Sequence, residues 1–572
     1  MLATDRQTDR QTDRQTDRQT GYPSVDKPWL KWYSKQDANS QALVRTVWEN
    51  VYENNKAYSE DAAIVFQGKK ISYKTLFERT LKLASALVGS GIKCGDNIVV
   101  CSTGTPETVY LLLACSKIGV SVQMINLSLG KQAIVDSINR SSAEYIFCLD
   151  KIYGKLAVAL MLTGKKIVII PATYSLAPII RLLAKISANN KVDYSNTIGW
   201  ASFLGKSNND YIDNEDVNRD FVTVYSSGTT GIPKGIVHTN KSYTSIYEEY
   251  RTCEYPFKRG DTFLNQIPFF IASGLSFMLF APLMLGITIV LEPEYSAEKW
   301  VKDIYKYKPQ VICATKSFWD VSIINNLFRG RDLSFLNIAV LGGEPNTPEI
   351  EEQINRVLSS CNCTTSLTVG YGMSELNGTV TTSSFKHHQI GFTGIPLPNV
   401  IVASFDVKTG RENGYLECGE IMVQSPCAMK NYANNPTLTD AFRWTDGQGN
   451  SWYRTGDIGY IDSFGEVMVL GRAVDSVDIN GKTVYFFDFE NLVLQIDGIS
   501  ACKVVADANE ELIINIIVDD LRDRSNVLSD IEKITKEQLP EYVTVKNIEV
   551  WKEFPINANG KCDKDALKRG KT

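Results

Sequence analysis

Histidine is almost missing from this chain of 572 residues, which has three: His238, His387 and His388. That scarcity excludes a His-rich metal site, and the adjacent pair His387-His388 reads as part of a polar loop. The 12 cysteines are scattered, and only Cys361 and Cys363 lie close together. Their C-x-C spacing fits neither a zinc site nor a C-x-x-C redox pair, so zinc chemistry is excluded and the thiols are expected to be reduced. Charge of one sign is lacking too. With 60 basic and 65 acidic side chains the net charge is -5, which gives no field to gather nucleic acid or an anionic membrane. There is no clean membrane span. The segment from Gly274 to Leu291 is long enough, but Pro282 and Gly286 divide it into an expected buried helix, turn and strand. No apolar run near the N-terminus suggests a signal peptide, and the last two residues, Lys-Thr, are not a Ser-Lys-Leu peroxisomal signal. The expectation is a cytoplasmic protein with no integral membrane segment and no nucleic-acid partner.

What is present is an ordinary globular composition, 44% hydrophobic and 22% charged. Residues 5 to 20 repeat Asp-Arg-Gln-Thr four times, with nothing apolar to bury, and residues 1 to 25 are expected to be a disordered tail. Beyond it, helical and strand patterns alternate. Residues 74 to 91 and 107 to 119 carry apolar side chains at helical spacing, and residues 97 to 102, 121 to 126, 165 to 171, 310 to 315 and 337 to 343 are short β-rich runs. This is the rhythm of doubly wound parallel sheets. Past about Gly391 the texture becomes Gly-rich and hairpin-like, with a turn at Ser463 to Gly465 and a two-residue hairpin signal at Asn480-Gly481. The fold class is therefore α/β. A large body over 26 to 470, with a small β-hairpin subdomain, precedes a small mobile α+β domain over 471 to 572.

The chemistry concentrates in Val222 to Thr239, VTVYSSGTTGIPKGIVHT, where a β-run is expected to pass through a hydroxyl- and glycine-rich loop into a helix capped by Thr239 or Asn240. Gly228 and Gly231 let backbone N–H groups approach a phosphate. Ser226, Ser227, Thr229 and Thr230 add hydroxyls, and Lys234 adds positive charge. Pro233 and Gly235 break the Walker A pattern, and no G-x-G-x-x-G follows a strand, which disfavours a dinucleotide site.

YSSGTTGIPKG resembles the phosphate-loop signature of the adenylate-forming superfamily, which includes the acyl-CoA synthetases, peptide-synthetase adenylation domains and beetle luciferases. The family's other motifs follow in order: LGGEP at Leu341 to Pro345, YGMSE at Tyr371 to Glu375, YRTGD at Tyr453 to Asp457, Gly471-Arg472, and PINANGK ending at Lys561. The resemblance covers roughly residues 45 to 568. It implies that Gly343, Glu344, Pro345, Tyr371, Gly372 and Ser374 lie on the adenine side, with the Tyr371 ring stacked on the base. It further implies that Asp457 accepts from the ribose hydroxyls, that Arg472 contacts the nucleotide, and that Glu375 with Thr230 holds Mg²⁺. Lys561, Glu375 and Thr230 are the implied catalytic residues. A lysine at the α-phosphoryl group stabilises charge built up in the in-line attack, and its loss costs on the order of 3 kcal/mol in the barrier.

Phe270, Ile271, Gly274 and Val369 are the expected acyl-pocket residues. Ile271 stands where many relatives have a histidine and amino-acid-activating domains an aspartate, so a free α-amino acid is disfavoured. Val474 and Asp478 replace lysines of the hinge and of the luciferase half-reaction, with Asp475 as a polar neighbour. The resemblance implies ATP- and Mg²⁺-dependent activation of a medium-chain or aryl carboxylic acid and its transfer to CoA. The alternatives are an adenylating enzyme that loads a carrier protein and a non-catalytic nucleotide-binding paralogue. A membrane-surface helix over Tyr174 to Ile186 is a further, weaker reading. The oligomeric state and the individual acid are not legible.

Overall fold

The computed structural model describes residues 20–34, 44–176, 193–226, 233–294, 296–518, 524–540, 542–555 and 562–570. Most of the repeat tail, most of the Tyr174 to Ile186 segment, residues 227 to 232 and Lys561 lie outside them.

Two large sheets form the body. In one of nine strands, Ala62–Phe66, Thr288–Leu291, Thr262–Asn265, Val311–Ala314, Ile338–Gly342 and Leu367–Tyr371 run parallel. In the other, of eight, the parallel set is Asp220–Ser226, Ser121–Met124, Asn97–Cys101, Tyr145–Leu149, Lys166–Ile170 and Ile198–Gly199. Alternation along each strand sends side chains to two different cores. Ile98 and Val100 join the large central cluster, whereas Val99 and Cys101 face an outer one. Helices Tyr73–Gly89, Pro106–Ile118 and Asn240–Thr252 fill the central layer between the sheets. Helices cover the outer faces, giving five layers. The expected doubly wound α/β body is what forms.

The predicted elements appear within a few residues of their expected bounds. Pro106–Ile118 starts where Thr105 caps it and Pro106 takes a first-turn position, and Gly119, at φ 73°, ends it. The apolar run from Gly274 to Leu291 is helical through Leu285, turns at Gly286 and ends in strand Thr288–Leu291, all in the core. No described helix is long and apolar enough to cross a membrane. None of the twelve cysteines is in a disulfide.

Two expectations are corrected. Residues 20 to 25, counted with the disordered tail, are ordered: Pro23–Asp26 is a short helix, and Ser24 Oγ donates to Glu412 Oε2 at 2.6 Å. The other concerns the glycine-rich loop. The loop after Ser226 does not run directly to the helix: Lys234–Thr239 is a strand, antiparallel to Asp220–Ser226, and the helix then begins at Asn240 with Thr239 as its cap, as expected. The reason is tertiary. Ile236, Val237 and His238 are all buried in a strand held between Asp220–Ser226 and Asn431–Tyr432, whereas Thr239 and Ser242 form the capping box that starts the helix.

Beyond the body, a five-stranded antiparallel sheet contains the hairpin Ser451–Ile461/Val467–Arg472, with Gly465 at φ 90° in its turn. The hairpin Ser476–Ile479/Lys482–Tyr485 follows, and both of its turn residues, Asn480 and Gly481, have positive φ. Strands Ile499–Ala506, Leu512–Val518 and Val545–Trp551 then pack with helices Phe486–Leu494 and Arg524–Gln538. Their cluster, from Ile479 to Val543, is drawn only from this C-terminal part.

Candidate nucleotide-activating site

The C-terminal end of strand Leu367–Tyr371 brings several motifs together. Tyr371 pairs with Thr381 across an antiparallel neighbour, and the chain then turns so tightly that a Cβ at Gly372 would stand 2.0 Å from the Gly378 carbonyl oxygen. Only glycine fits there. The turn leads to the short 3₁₀ helix Ser374–Leu376, where Tyr432 Oη donates to Glu375 Oε1 at 2.7 Å and the Met429 N–H donates to the Glu375 carbonyl at 2.7 Å. From below, His238 Nε2 lies 2.8 Å from the Ser374 carbonyl oxygen, and Nδ1 lies 3.4 Å from Ser242 Oγ. The bond to a carbonyl assigns the proton to Nε2. Burial pushes this imidazole down to about 4, against the bond to Ser374.

Asp457 holds the second half of the site. It is 4% exposed and sits in register opposite Arg472. Tyr371 Oη donates to its Oδ2 at 2.5 Å and Arg472 Nη1 to its Oδ1 at 2.6 Å. Burial and the neighbouring carboxylate together push the Tyr371 phenol well above its ordinary value, so it remains a donor. Burial works against the Arg472 charge, but Asp457 outweighs it and raises the guanidinium further. The result is an anion with two fixed donors and lone pairs left over for further hydroxyl donors.

The structure places the other expected residues as follows. Lys234 pairs in register with Ser226 at the mouth of the loop, and its Nζ stands 5.9 Å from the centre of the Tyr432 ring. Gly343, at φ 83°, Glu344 and Pro345 form an exposed loop, with Glu344 accepting from Ser317 N at 2.8 Å and Ser317 Oγ at 3.0 Å. Phe270 is buried in the central core, while Ile271 is 38% exposed. A Cβ at Gly274 would meet the Pro268 carbonyl oxygen at 2.6 Å, so glycine lets this helix close on the preceding turn. Ser276 of the same segment donates to the Asn377 carbonyl at 2.6 Å, which ties the acyl-side candidates to the Glu375 turn. Val369 is not brought to them: it is buried in the outer cluster with Leu341 and Trp300, separate from the central core that holds Phe270. Ser227, Gly228, Thr229, Thr230, Gly231 and Lys561 are outside the described residues.

Two contributors were missed by sequence reasoning, His238 and Tyr432. His238 had no local signal, because the strand that carries it is defined by pairing across the loop. Tyr432 had none, because its partner Glu375 is far away along the chain.

Among the described residues no cluster of three or more His, Cys, Asp or Glu side chains could hold a metal ion alone. Glu375 is nevertheless a fitting donor for Mg²⁺. This cation takes one or two carboxylates and completes its shell with water and phosphate oxygens, and Tyr432 holds only Oε1.

The model of the AMP-binding enzyme family matches residues 51–433, more than half of the sequence. The chain belongs to the AMP-binding enzyme family. Among similar proteins, the long-chain-fatty-acid–CoA ligase of Bacillus subtilis is 25% identical over 550 residues, covering 94% of this chain and 96% of that one. The 4-coumarate–CoA ligase 3 of Arabidopsis thaliana is 25% identical over 492 residues, covering 83% and 81%. A solved anthranilate CoA ligase in complex with anthranoyl-AMP superimposes with a TM-score of 0.76 at 18% identity, over 92% of this chain and 97% of that one. The O-succinylbenzoate coenzyme A synthetase of Bacillus subtilis in complex with AMP gives 0.71 at 20% identity, over 92% and 98%. Family membership and fold thus agree with the arrangement of the motifs.

Proposed function

We propose that this protein activates a carboxylic acid with ATP and transfers the acyl group to CoA. One observation carries the reading beyond family membership: Asp457, buried and fixed by Tyr371 and Arg472, presents a preorganised acceptor beside the turn that bears Glu375. In the proposed reaction a carboxylate oxygen attacks the α-phosphorus of ATP. The bond to the bridging oxygen breaks, its electron pair leaves with pyrophosphate, and an acyl-adenylate remains. The CoA sulfur then attacks the acyl carbonyl, AMP departs, and the thiol proton is released.

Within this scheme Asp457 accepts from the ribose hydroxyls while Tyr371, Gly372, Ser374 and the Gly343-Glu344-Pro345 loop flank adenine. Arg472 and Lys234 face the phosphates, together with Ser226, Ser227, Gly228, Thr229, Thr230 and Gly231. Glu375 and Thr230 are the residues that would hold Mg²⁺, which when bound neutralises triphosphate charge. Lys561 belongs at the α-phosphoryl group. Phe270, Ile271 and Gly274 wall the acyl side, where the half-exposed Ile271 favours an apolar medium-chain or aryl acid over an amino acid. The separate apolar cluster of the C-terminal part supports a division near residue 471.

The test is pyrophosphate release by the full chain with ATP, Mg²⁺ and a panel of short, medium, long and aryl acids, with and without CoA. Acid-dependent release that rises with CoA, with formation of the thioester, is expected, and Lys561→Ala should lower it by a factor of about 100 or more. Release independent of CoA would point to a carrier protein as acceptor. ATP binding with no release for any acid would leave a nucleotide-binding paralogue.

A further inference from the structure

Below the adenine-side loop, three ionisable side chains meet, two of them fully buried. Glu351, in the first turn of helix Pro348–Ser360, is 1% exposed, Glu466 is 0% exposed, and the side chain of His388 between them is 15% exposed. His388 Nε2 donates to Glu351 Oε1 at 2.7 Å, and Nδ1 stands 3.4 Å from Glu466 Oε2. The second contact is an ion pair without hydrogen-bond alignment, and among the described residues neither carboxylate oxygen of Glu466 has another donor. Two buried carboxylates around one imidazole call for protons on both ring nitrogens. Burial pulls this imidazole toward neutrality, but Glu351 and Glu466 outweigh it and raise it to about 9.

The cluster joins two parts of the site. Glu351 Oε2 accepts from Asn346 Nδ2 at 3.0 Å and from the Gly391 N–H at 3.0 Å, and Asn346 directly follows the Leu341 to Pro345 motif. The Glu466 N–H donates to Asp462 Oδ1 at 2.8 Å, closing the turn between the strands that carry Asp457 and Arg472. Gln389, beside His388, bonds to the other oxygen of Asp462. The neighbouring charges are already engaged. The Lys386 ammonium is bound to Glu254 at 2.6 Å, and the His387 ring stacks on Trp32 at 4.6 Å. A cavity of ≈ 600 Å³, lined in part by Glu351, His387 and His388, gives solvent a route to the imidazole.

We propose that His388 is a positioning residue for ATP: held as an imidazolium between Glu351 and Glu466, it fixes the spacing between the adenine-side loop and the hairpin bearing Asp457 and Arg472. This rests on the nucleotide roles given to those two segments above. Loss of the His388 proton releases the clasp, so ATP affinity falls on the alkaline side while acid and CoA play no part in the effect.

The experiment is calorimetric titration of the full-length protein with Mg²⁺-ATP, without acid or CoA, from pH 7 to pH 9.5. The wild type should hold its affinity to about pH 8 and lose it as the pH passes about 9. His388→Gln should bind about tenfold more weakly at pH 7.5 and show no alkaline loss, a coupling of ordinary size for two linked sites. His388→Gln combined with Glu466→Gln, which removes the stranded carboxylate, should keep the fold if the single variant does not and should also lack the alkaline step. A folded His388→Gln, or the double variant in its place, with wild-type affinity and the wild-type pH profile would overturn the proposal. A wild type that binds no ATP at any pH would instead overturn the nucleotide reading beneath it, an outcome recognised without any variant.

Discussion

His238 and His388 are both taken out of water, yet their surroundings drive them in opposite directions. His238, below the Glu375 turn, meets a backbone carbonyl and a hydroxyl and is pushed down to about 4. His388, below the adenine-side loop, meets two carboxylates and is raised to about 9. Burial disfavours the charged form at both places, so the charge of the partner decides the outcome. One region therefore uses a histidine as a neutral donor that shapes a turn, and the other uses it as a buried cation that joins two chain segments.

The largest way to break this contrast is His388→Ala. It strands Glu351 and Glu466 and should cost about 3–5 kcal/mol in urea unfolding, of which Glu466→Gln in the same chain should restore a large part. A loss no greater than that of a simple large-to-small change would remove the buried cation from the account. Next in size is the pH dependence of stability. The folded value of His388 lies above the ordinary 6.5, so its contribution is complete below about 6.5 and is lost as the pH rises through about 9. The folded value of His238 lies below 6.5, so its contribution is complete above that pH and is lost as the pH falls through about 4. Each slope approaches roughly 1.4 kcal/mol per pH unit. Denaturation series should lose the alkaline limb in His388→Gln and the acid limb in His238→Gln, and two profiles that keep both limbs would refute the assignment. The smallest effect belongs to His238→Gln itself near pH 7. A donor to the Ser374 carbonyl is kept, so the cost should be about 1 kcal/mol, whereas His238→Ala should lose about 2 kcal/mol and raise the Mg²⁺ concentration needed for ATP binding.

Much of the body was legible because its signals are local. The β-rich runs around Asn97–Cys101 and Ile338–Gly342, the caps of Pro106–Ile118 and the Asn480-Gly481 turn each name their own structure. Strand Lys234–Thr239 was misread because its identity depends on pairing with Asp220–Ser226 across the loop, a tertiary fact. At the site, Tyr371, Asp457 and Arg472 were found by motif, and the structure joins them directly. Val369 was expected on the acyl side, but the twofold alternation of the strand turns it into the outer core. The His387-His388 pair read as a polar loop because neither Glu351 nor Glu466 is near it in sequence. Only folding supplies the charges that give His388 its state.

The Asp457–Arg472 pair also has a mechanical consequence. Arg472 is anchored through its guanidinium, and the next residue is held by the Ala473 N–H bond to the Gly456 carbonyl at 2.8 Å. Val474 is 75% exposed, and Asp475 is tied forward to Lys564 of the C-terminal part. A swing of that part about this stretch would find its pivot at Val474, where little burial is lost. The backbone bond of Ala473 to Gly456 would take up the torque ahead of the Arg472–Asp457 pair, so the acceptor would stay still while the chain beyond it turns.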